Sequence, residues 1–252
     1  MCTATLHWAP GHFTLTMNRD EARTRGAEQP PEVYETASGM PWAAPTDSEK
    51  GGTWMAINGR GLAGCLLNRY QDVVAMAPES AESRGWILPR LMAFPCLDDA
   101  SDALQGGAID PTRFPPFTLL LASPAGARRF DWRGDSAFTM CDLGPSWQFI
   151  SSSFFEPETV LPWRQQAFDD WRDKGAALHQ GIPAIHLYSP PGQESMAPMM
   201  SRDISCTRSI TQASFGEGGH GARLRYAPVT KGALAWPALS EVIALPAASD
   251  SC

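Results

Sequence analysis

The sequence predicts an α+β fold built mainly from antiparallel sheets. Three features point there: a strictly alternating hairpin at the start of the chain, a second hairpin across a Gly-Arg loop, and one long amphipathic helix after residue 157. The 252 residues, 43% hydrophobic and only 19% charged, suffice for a single domain spanning 1–252 around a sizeable core, and they exclude a disordered class.

Residues 3–8 and 13–18 each alternate apolar and polar, and Ala9-Pro10-Gly11-His12 joins them with turn-forming residues. Pairing Trp8 with Phe13 puts Ala4, Leu6, Trp8, Phe13, Leu15 and Met17 on one face and Thr3, Thr5, His7, Thr14, Thr16 and Asn18 on the other. A slip of one residue would scramble both faces. In this register Cys2 falls opposite Arg19. A guanidinium beside a thiol favours the nucleophilic thiolate, and loss of Met1 would give Cys2 an α-amine to act as its base. The plainer readings are a buried or frayed cysteine, and a solvated turn for Asn18-Arg19-Asp20-Glu21. Arg19, Arg23 and Arg25 form a local basic cluster suited either to an anion or to structural ion pairs.

Residues 23–50 are rich in Pro, Glu, Ala and Ser, and Pro30-Pro31 and Pro41-Trp42 interrupt any period. They read as a long loop leading from the Cys2 region to Gly51-Gly52, a lid or wall with Trp42 and Asp47 as substrate contacts. The alternative is that Trp42 pins the loop to the core. Residues 53–58 and 61–68 form the second hairpin across Gly59-Arg60. Pairing Asn58 with Gly61 sets Trp54 against Cys65 and brings Gly51 and Gly52 toward Asn68. Glycine permits close approach to a ligand, and an asparagine amide can donate to an oxyanion or cap a strand end.

Ser83 is placed to cap a helix through Trp86, Ile87, Leu88, Leu91 and Met92, with Pro89 in its first turns, and residues 98–104 suggest a second. Strands at 117–122, 127–132, 137–141 and 148–153 would make a second sheet. The clearest helix covers 158–178, with Val160, Leu161, Trp163, Phe168 and Trp171 as its apolar positions. Segments 204–212 and 224–228 form a closing hairpin across the Gly-rich stretch 215–221.

A net charge of -7 and a pI near 5.2 argue against nucleic acid or an anionic membrane as the main partner. No apolar run reaches the roughly 18 residues of a membrane span, and the N-terminus lacks a signal-peptide pattern, so a cytoplasmic chain is expected. Its six cysteines contain no C-x-x-C pair and its five histidines no ligand spacing, so no metal site is expected. Gly216-Glu217-Gly218-Gly219 reads as a flexible turn, not a nucleotide motif.

Met1-Cys2, Asn18-Arg19-Asp20-Glu21, Gly51-Gly52-Thr53-Trp54, the 61–68 segment and Ser83-Arg84-Gly85 together resemble the NRDE family, also called the transport and Golgi organisation family. In order and spacing they are similar to N-terminal nucleophile hydrolases of the cholylglycine hydrolase type. The resemblance implies a four-layer αββα sandwich with the cysteine at its open edge. It also implies catalytic roles for Cys2, Arg19, Asp20, Asn68 and a late Arg208, with Arg202 as an alternative. Asn18, Glu21, Trp42, Gly51, Gly52 and Trp54 would surround the substrate. One departure stands out: Ser151-Ser152-Ser153 lies where relatives carry Ser-Asn, removing an oxyanion donor. The activity implied is hydrolysis of an amide or related acyl bond, with a small molecule as substrate and no required cofactor. Family members are also linked to haem trafficking, which implies the alternative of a non-catalytic carrier holding haem as a transient ligand between residues such as Trp42 and Trp54.

Overall fold

The computed structural model describes residues 2–70, 81–134, 138–230, 233–234 and 242–246. The first hairpin forms in the expected register: β1 (Cys2–Ala9) pairs antiparallel with β2 (His12–Ala22), Trp8 opposite Phe13 and Cys2 opposite Arg19. Pairing extends one step further, to Ala9 and His12, so the turn itself is the dipeptide Pro10-Gly11.

Next comes β3 (Gln29–Glu35) with β4 (Pro41–Thr46), where the sequence suggested only a loop. The prolines are tolerated because β3 is an edge strand, Pro41 opens β4, and Pro45 falls at the register shift between Gln29 and Glu32, beyond the Trp42 and Ala43 pairs with β5. The second hairpin joins β5 (Met55–Asn58) to β6 (Ala63–Asn68), but its register is one residue from that expected: Met55, not Trp54, faces Cys65. The cause is the turn. Asn58 Oδ1 accepts from the backbone N–H groups of Arg60 and Leu62 at 3.1 and 3.0 Å, and Gly61 sits at φ +82°, giving a three-residue loop.

A short 3₁₀ turn (Arg84–Trp86) leads into α1 (Ile87–Leu91), and Ser83 makes no side-chain cap bond. Then follow α2 (Leu97–Gln105), β7 (Phe117–Ser123), β8 (Gly126–Trp132), β9 (Phe138–Leu143) and β10 (Trp147–Ser152). Residue 137, expected to begin the third of these strands, lies outside the described residues. Helix α3 (Pro157–Asp173) precedes the two-residue strands β11 (Leu178–His179) and β12 (Ile182–Pro183) and a 3₁₀ segment, Ala184–Leu187. The closing hairpin is β13 (Ser205–Phe215) and β14 (Arg223–Thr230), followed by β15 (Ala233–Leu234) and β16 (Val242–Ala244).

One sheet runs β10-β1-β2-β13-β14-β15 with β16 also on β14, and the other runs β3 through β9 in chain order. Thus β10 leaves its expected sheet and pairs with β1, setting Ser152 opposite Cys2. The sheets bury a shared core in which Ala4, Leu6, Phe13, Leu15 and Met17 meet Met55, Ile57, Cys65, Leu67 and Leu120. On the outer face of the second sheet, Leu66, Leu119, Leu121 and Phe130 pack with Ile87, Leu88 and Leu91 of α1 and Leu104 of α2. The outer face of the first sheet is the threonine face of β1 and β2. It is covered by α3 and the 3₁₀ segment 184–187, through Thr3 to Arg164 at 2.9 Å and Thr5 to His186 at 2.7 Å. The result is the αββα layering that the resemblance implied.

Candidate active site

Cys2, at the open end of β1, lines a cavity of about 390 Å³ between the two sheets. Arg19, Asp20 and Glu21 of β2, Asn68 at the end of β6, Gly52 and Trp54 of the β4–β5 connection, and Glu82 to Gly85 complete much of its wall. The last two segments are locked by glycine: a Cβ on Gly52 would lie 2.6 Å from the Gly85 carbonyl carbon, and Thr53 N–H donates to Gly85 O at 3.0 Å. Side chains at these positions would force the segments apart.

Arg19 does not present a free charge to the thiol. It donates to Asp47 at 2.9 Å, Glu28 at 3.2 Å and Glu21 at 3.4 Å, and its guanidinium lies 4.5 Å over the Trp54 ring. Arg25 clamps the same Asp47 through two nitrogens, both at 3.0 Å. Although burial opposes ionisation of Asp47, its bonds from Arg25 and the Lys50 N–H, with the charges of Arg25 and Arg19, hold the carboxyl below its ordinary range. For Cys2 the balance goes the other way. Burial pushes the thiol up and the Asp20 carboxylate adds to this; the positive charge of the chain's amino terminus, the Asp20 N–H and Arg19 pull it back only in part.

Behind the thiol lies a buried polar assembly that includes a residue the sequence reading missed. Arg164 of α3 is fully buried and donates to Thr3 Oγ1, Ser151 Oγ, Met196 O and Ala197 O at 2.7–3.0 Å, with Asp20 Oδ2 3.5 Å from its Nη2. Asp20 also accepts the Thr207 hydroxyl at 2.7 Å. Burial raises the Asp20 carboxyl, with Arg164 and Thr207 opposing. The signal was present in the sequence: Arg164 lies midway between Val160 and Phe168, the apolar residues that α3 buries. Nearby, the Cys2 backbone N–H donates to Ser152 Oγ at 3.1 Å, so this serine contacts the cysteine directly. Asn68 Nδ2 donates to the Tyr70 hydroxyl at 2.9 Å.

Several candidates fall elsewhere. Arg208, next to the β13 register shift between Thr207 and Ser209, donates to the carbonyls of Ala22 and Arg25 and does not line the cavity. Arg202 donates to Ser195 O at 2.7 Å and lies over Phe155. Asn18 points to the outer face, where its amide donates to His186 O and Pro198 O. Trp42 stacks on Tyr34 at 4.6 Å and packs on the outer core, as its structural alternative held. Gly51 is outside the lining; its N–H donates to Asp47 O. Arg23 turns outward to Ser201 and the Arg202 carbonyl. Among the described residues, no group of three or more His, Cys, Asp or Glu could hold a metal ion, and no helix is long and apolar enough to cross a membrane.

This architecture is that of the N-terminal nucleophile hydrolases. Solved structures similar to it include a Caenorhabditis elegans ortholog of N-acylethanolamine-hydrolyzing acid amidase, with 12% identity, 83% of this chain and 91% of that chain covered, and a TM-score of 0.57. Penicillin V acylase from Agrobacterium tumefaciens is similar at 12% identity, covering 93% and 84%, TM-score 0.51. Conjugated bile acid hydrolase from Clostridium perfringens, as its C2A mutant, is similar at 10% identity, covering 97% and 92%, TM-score 0.51. At such identities the likeness shows the fold alone. A family model, Transport and Golgi organisation 2, matches residues 1–163, and the chain belongs to that family. No curated protein matches it.

Proposed function

We propose that this protein hydrolyses an amide or related acyl bond, with Cys2 as nucleophile once Met1 is removed. The observation that carries the reading is the placement of Cys2 on the inter-sheet cavity, in register with Arg19 and backed by the Asp20–Arg164 assembly. In this scheme the Cys2 α-amine takes the thiol proton and the sulfur attacks the substrate carbonyl carbon. The oxyanion accepts a hydrogen bond from Asn68 Nδ2, whose other hydrogen serves Tyr70. Collapse breaks the carbonyl–nitrogen bond, and the departing amine takes the proton from the α-ammonium. Water then cleaves the thioester, releasing the acid and restoring the thiol.

Residue 1 lies outside the described residues, so the first test is intact mass: the reading requires a protein lacking Met1. The protein is then incubated with a panel of acyl p-nitroanilides and p-nitrophenyl thioesters. Turnover is expected, with a transient acyl adduct on the N-terminal peptide, and neither should survive C2A or C2S. Retention of turnover in C2A refutes the mechanism. A second proposal, transient haem carriage, draws on the same thiol beside Trp54, since a thiolate is a haem-iron ligand. It requires a saturable Soret change on haem titration that C2A abolishes.

A further inference from the structure

The charged groups on the cavity wall are unequally matched. Arg19 and Arg25 are met by Glu21, Glu28, Asp47 and Glu49, and Glu82 is taken by Arg90 and Arg113. Arg84 differs. It is partly buried on the same wall as Cys2, its Nη1 donates to Pro116 O at 2.8 Å, and among the described residues it makes no salt bridge to a carboxylate. Its position is fixed by the Gly52–Gly85 backbone contact on one side and the start of α1 on the other. A desolvated guanidinium with donors left over is costly unless it recognises an oxyanion. Burial lowers the Arg84 pKa, with Tyr70 and Cys2 opposing, and a ligand carboxylate would oppose it further.

We propose that Arg84 binds a carboxylate on the substrate, so that the cavity takes an acyl compound carrying one negative charge near the bond presented to Cys2. Resting on the hydrolase reading, this names its substrate class. A monoanionic carboxylate matches the one buried guanidinium left without an acidic partner among the described residues, whereas a dianionic phosphate would set its second charge against a wall whose Arg19 and Arg25 are already matched by Glu21, Glu28, Asp47 and Glu49.

The test compares alkylation of Cys2 by iodoacetate and by iodoacetamide, reagents that differ by one carboxylate and in which the sulfur displaces iodide. Adducts are read by mass on the N-terminal peptide, so other cysteines do not enter. R84Q is expected to lower the iodoacetate-to-iodoacetamide rate ratio about fivefold or more while the iodoacetamide rate holds within about twofold. R84K should keep most of the ratio. An unchanged ratio in R84Q overturns the proposal; equal slowing of both reagents also overturns it, because it assigns Arg84 to the thiolate. Where R84Q does not fold, the wild-type protein supplies the answer: at fixed ionic strength, acetate should slow alkylation of Cys2 by iodoacetate about twofold or more by occupying Arg84, and acetamide should not. Equal effects of acetate and acetamide overturn the proposal. Because neither measurement needs turnover, the carboxylate site can stand if the hydrolase reading falls, and the reverse.

Discussion

Removing Arg164 should cost more than removing any charge on the cavity rim. The substitution Arg164→Met preserves much of the side chain's volume within α3 but deletes its donors to Thr3, Ser151, Met196 O and Ala197 O. It also strands Asp20, which is only 2% exposed, without its guanidinium neighbour. Breaking a buried pair in this way costs about 3–5 kcal/mol, because the remaining charge is left desolvated. Against a total stability of roughly 5–15 kcal/mol that is a large fraction. For a chain of this size it should lower Tm by about 6–20 °C. Urea unfolding of the wild type, Arg164→Met, Asp20→Asn and the double variant would give the coupling between the two groups, expected at about 2 kcal/mol or more. A loss below about 1 kcal/mol for Arg164→Met, or a coupling near zero, refutes the view that this pair holds α3, β1, β2 and β10 together behind the thiol.

Two further outcomes concern stability. His186 is buried with its Nδ1 facing Asn18 Oδ1 at 2.8 Å and its Nε2 facing Thr5 Oγ1; both amide hydrogens of Asn18 go to carbonyls, so Nδ1 carries the proton. Burial depresses its pKa to about 3, below the ordinary 6.5. Its contribution is therefore present above pH 6.5 and lost as pH falls toward 3, at roughly 1.4 kcal/mol per pH unit. His186→Gln should flatten the slope of unfolding free energy between pH 6 and 4 by about that amount, and an identical slope in both proteins refutes the assignment. Gly52→Ala would drive a Cβ to 2.6 Å from the Gly85 backbone; a loss of about 1–3 kcal/mol in urea unfolding is expected, with slower labelling of Cys2. A neutral substitution would show that the two segments are not in fixed contact.

The first hairpin was legible because both of its faces are specified, one by apolar residues and one by threonines, so only one register satisfies them. The second hairpin was misread by one step. Its strands carry apolar residues on both faces, and the turn that sets the register depends on the Asn58 side chain replacing a backbone acceptor. The proline-rich 23–50 segment concealed β3 and β4, because proline excludes the regular interior of a central strand but not an edge, a first position or a register shift such as the one at Pro45. Cys2, Arg19 and Asp20 came from local pattern and resemblance. Arg164 did not: its place between Val160 and Phe168 marks only an inward-facing position, and the partners that give it a role, Thr3, Met196 and Ala197, are brought to it by the fold. Arg208 was placed by motif likeness, and the register shift beside it in β13 accompanies a side chain that reaches the 22–25 backbone instead of the thiol.

The activation of Cys2 also differs from the sequence expectation, in a way that alkylation can measure. Arg19 was expected to favour the thiolate across the strand pair, but three carboxylates already compensate its charge. Arg19 instead gathers the 21–28 turn and the Asp47 loop at the cavity. Burial then dominates, and the thiol lies above its ordinary value. In protein that retains Met1, the Cys2 nitrogen is an amide that can take no proton, so the rate of Cys2 alkylation by iodoacetamide should still climb past pH 8.5, the ordinary thiol value of about 8.5 having been exceeded. In protein lacking Met1, the same nitrogen is an amine beside Ser152, able to accept the proton at neutral pH, and the rate should rise at lower pH. A plateau below pH 8 in the Met1-retaining form would mean that the positive chain terminus and Arg19 together outweigh burial, and that removing the first residue is not what makes the sulfur reactive.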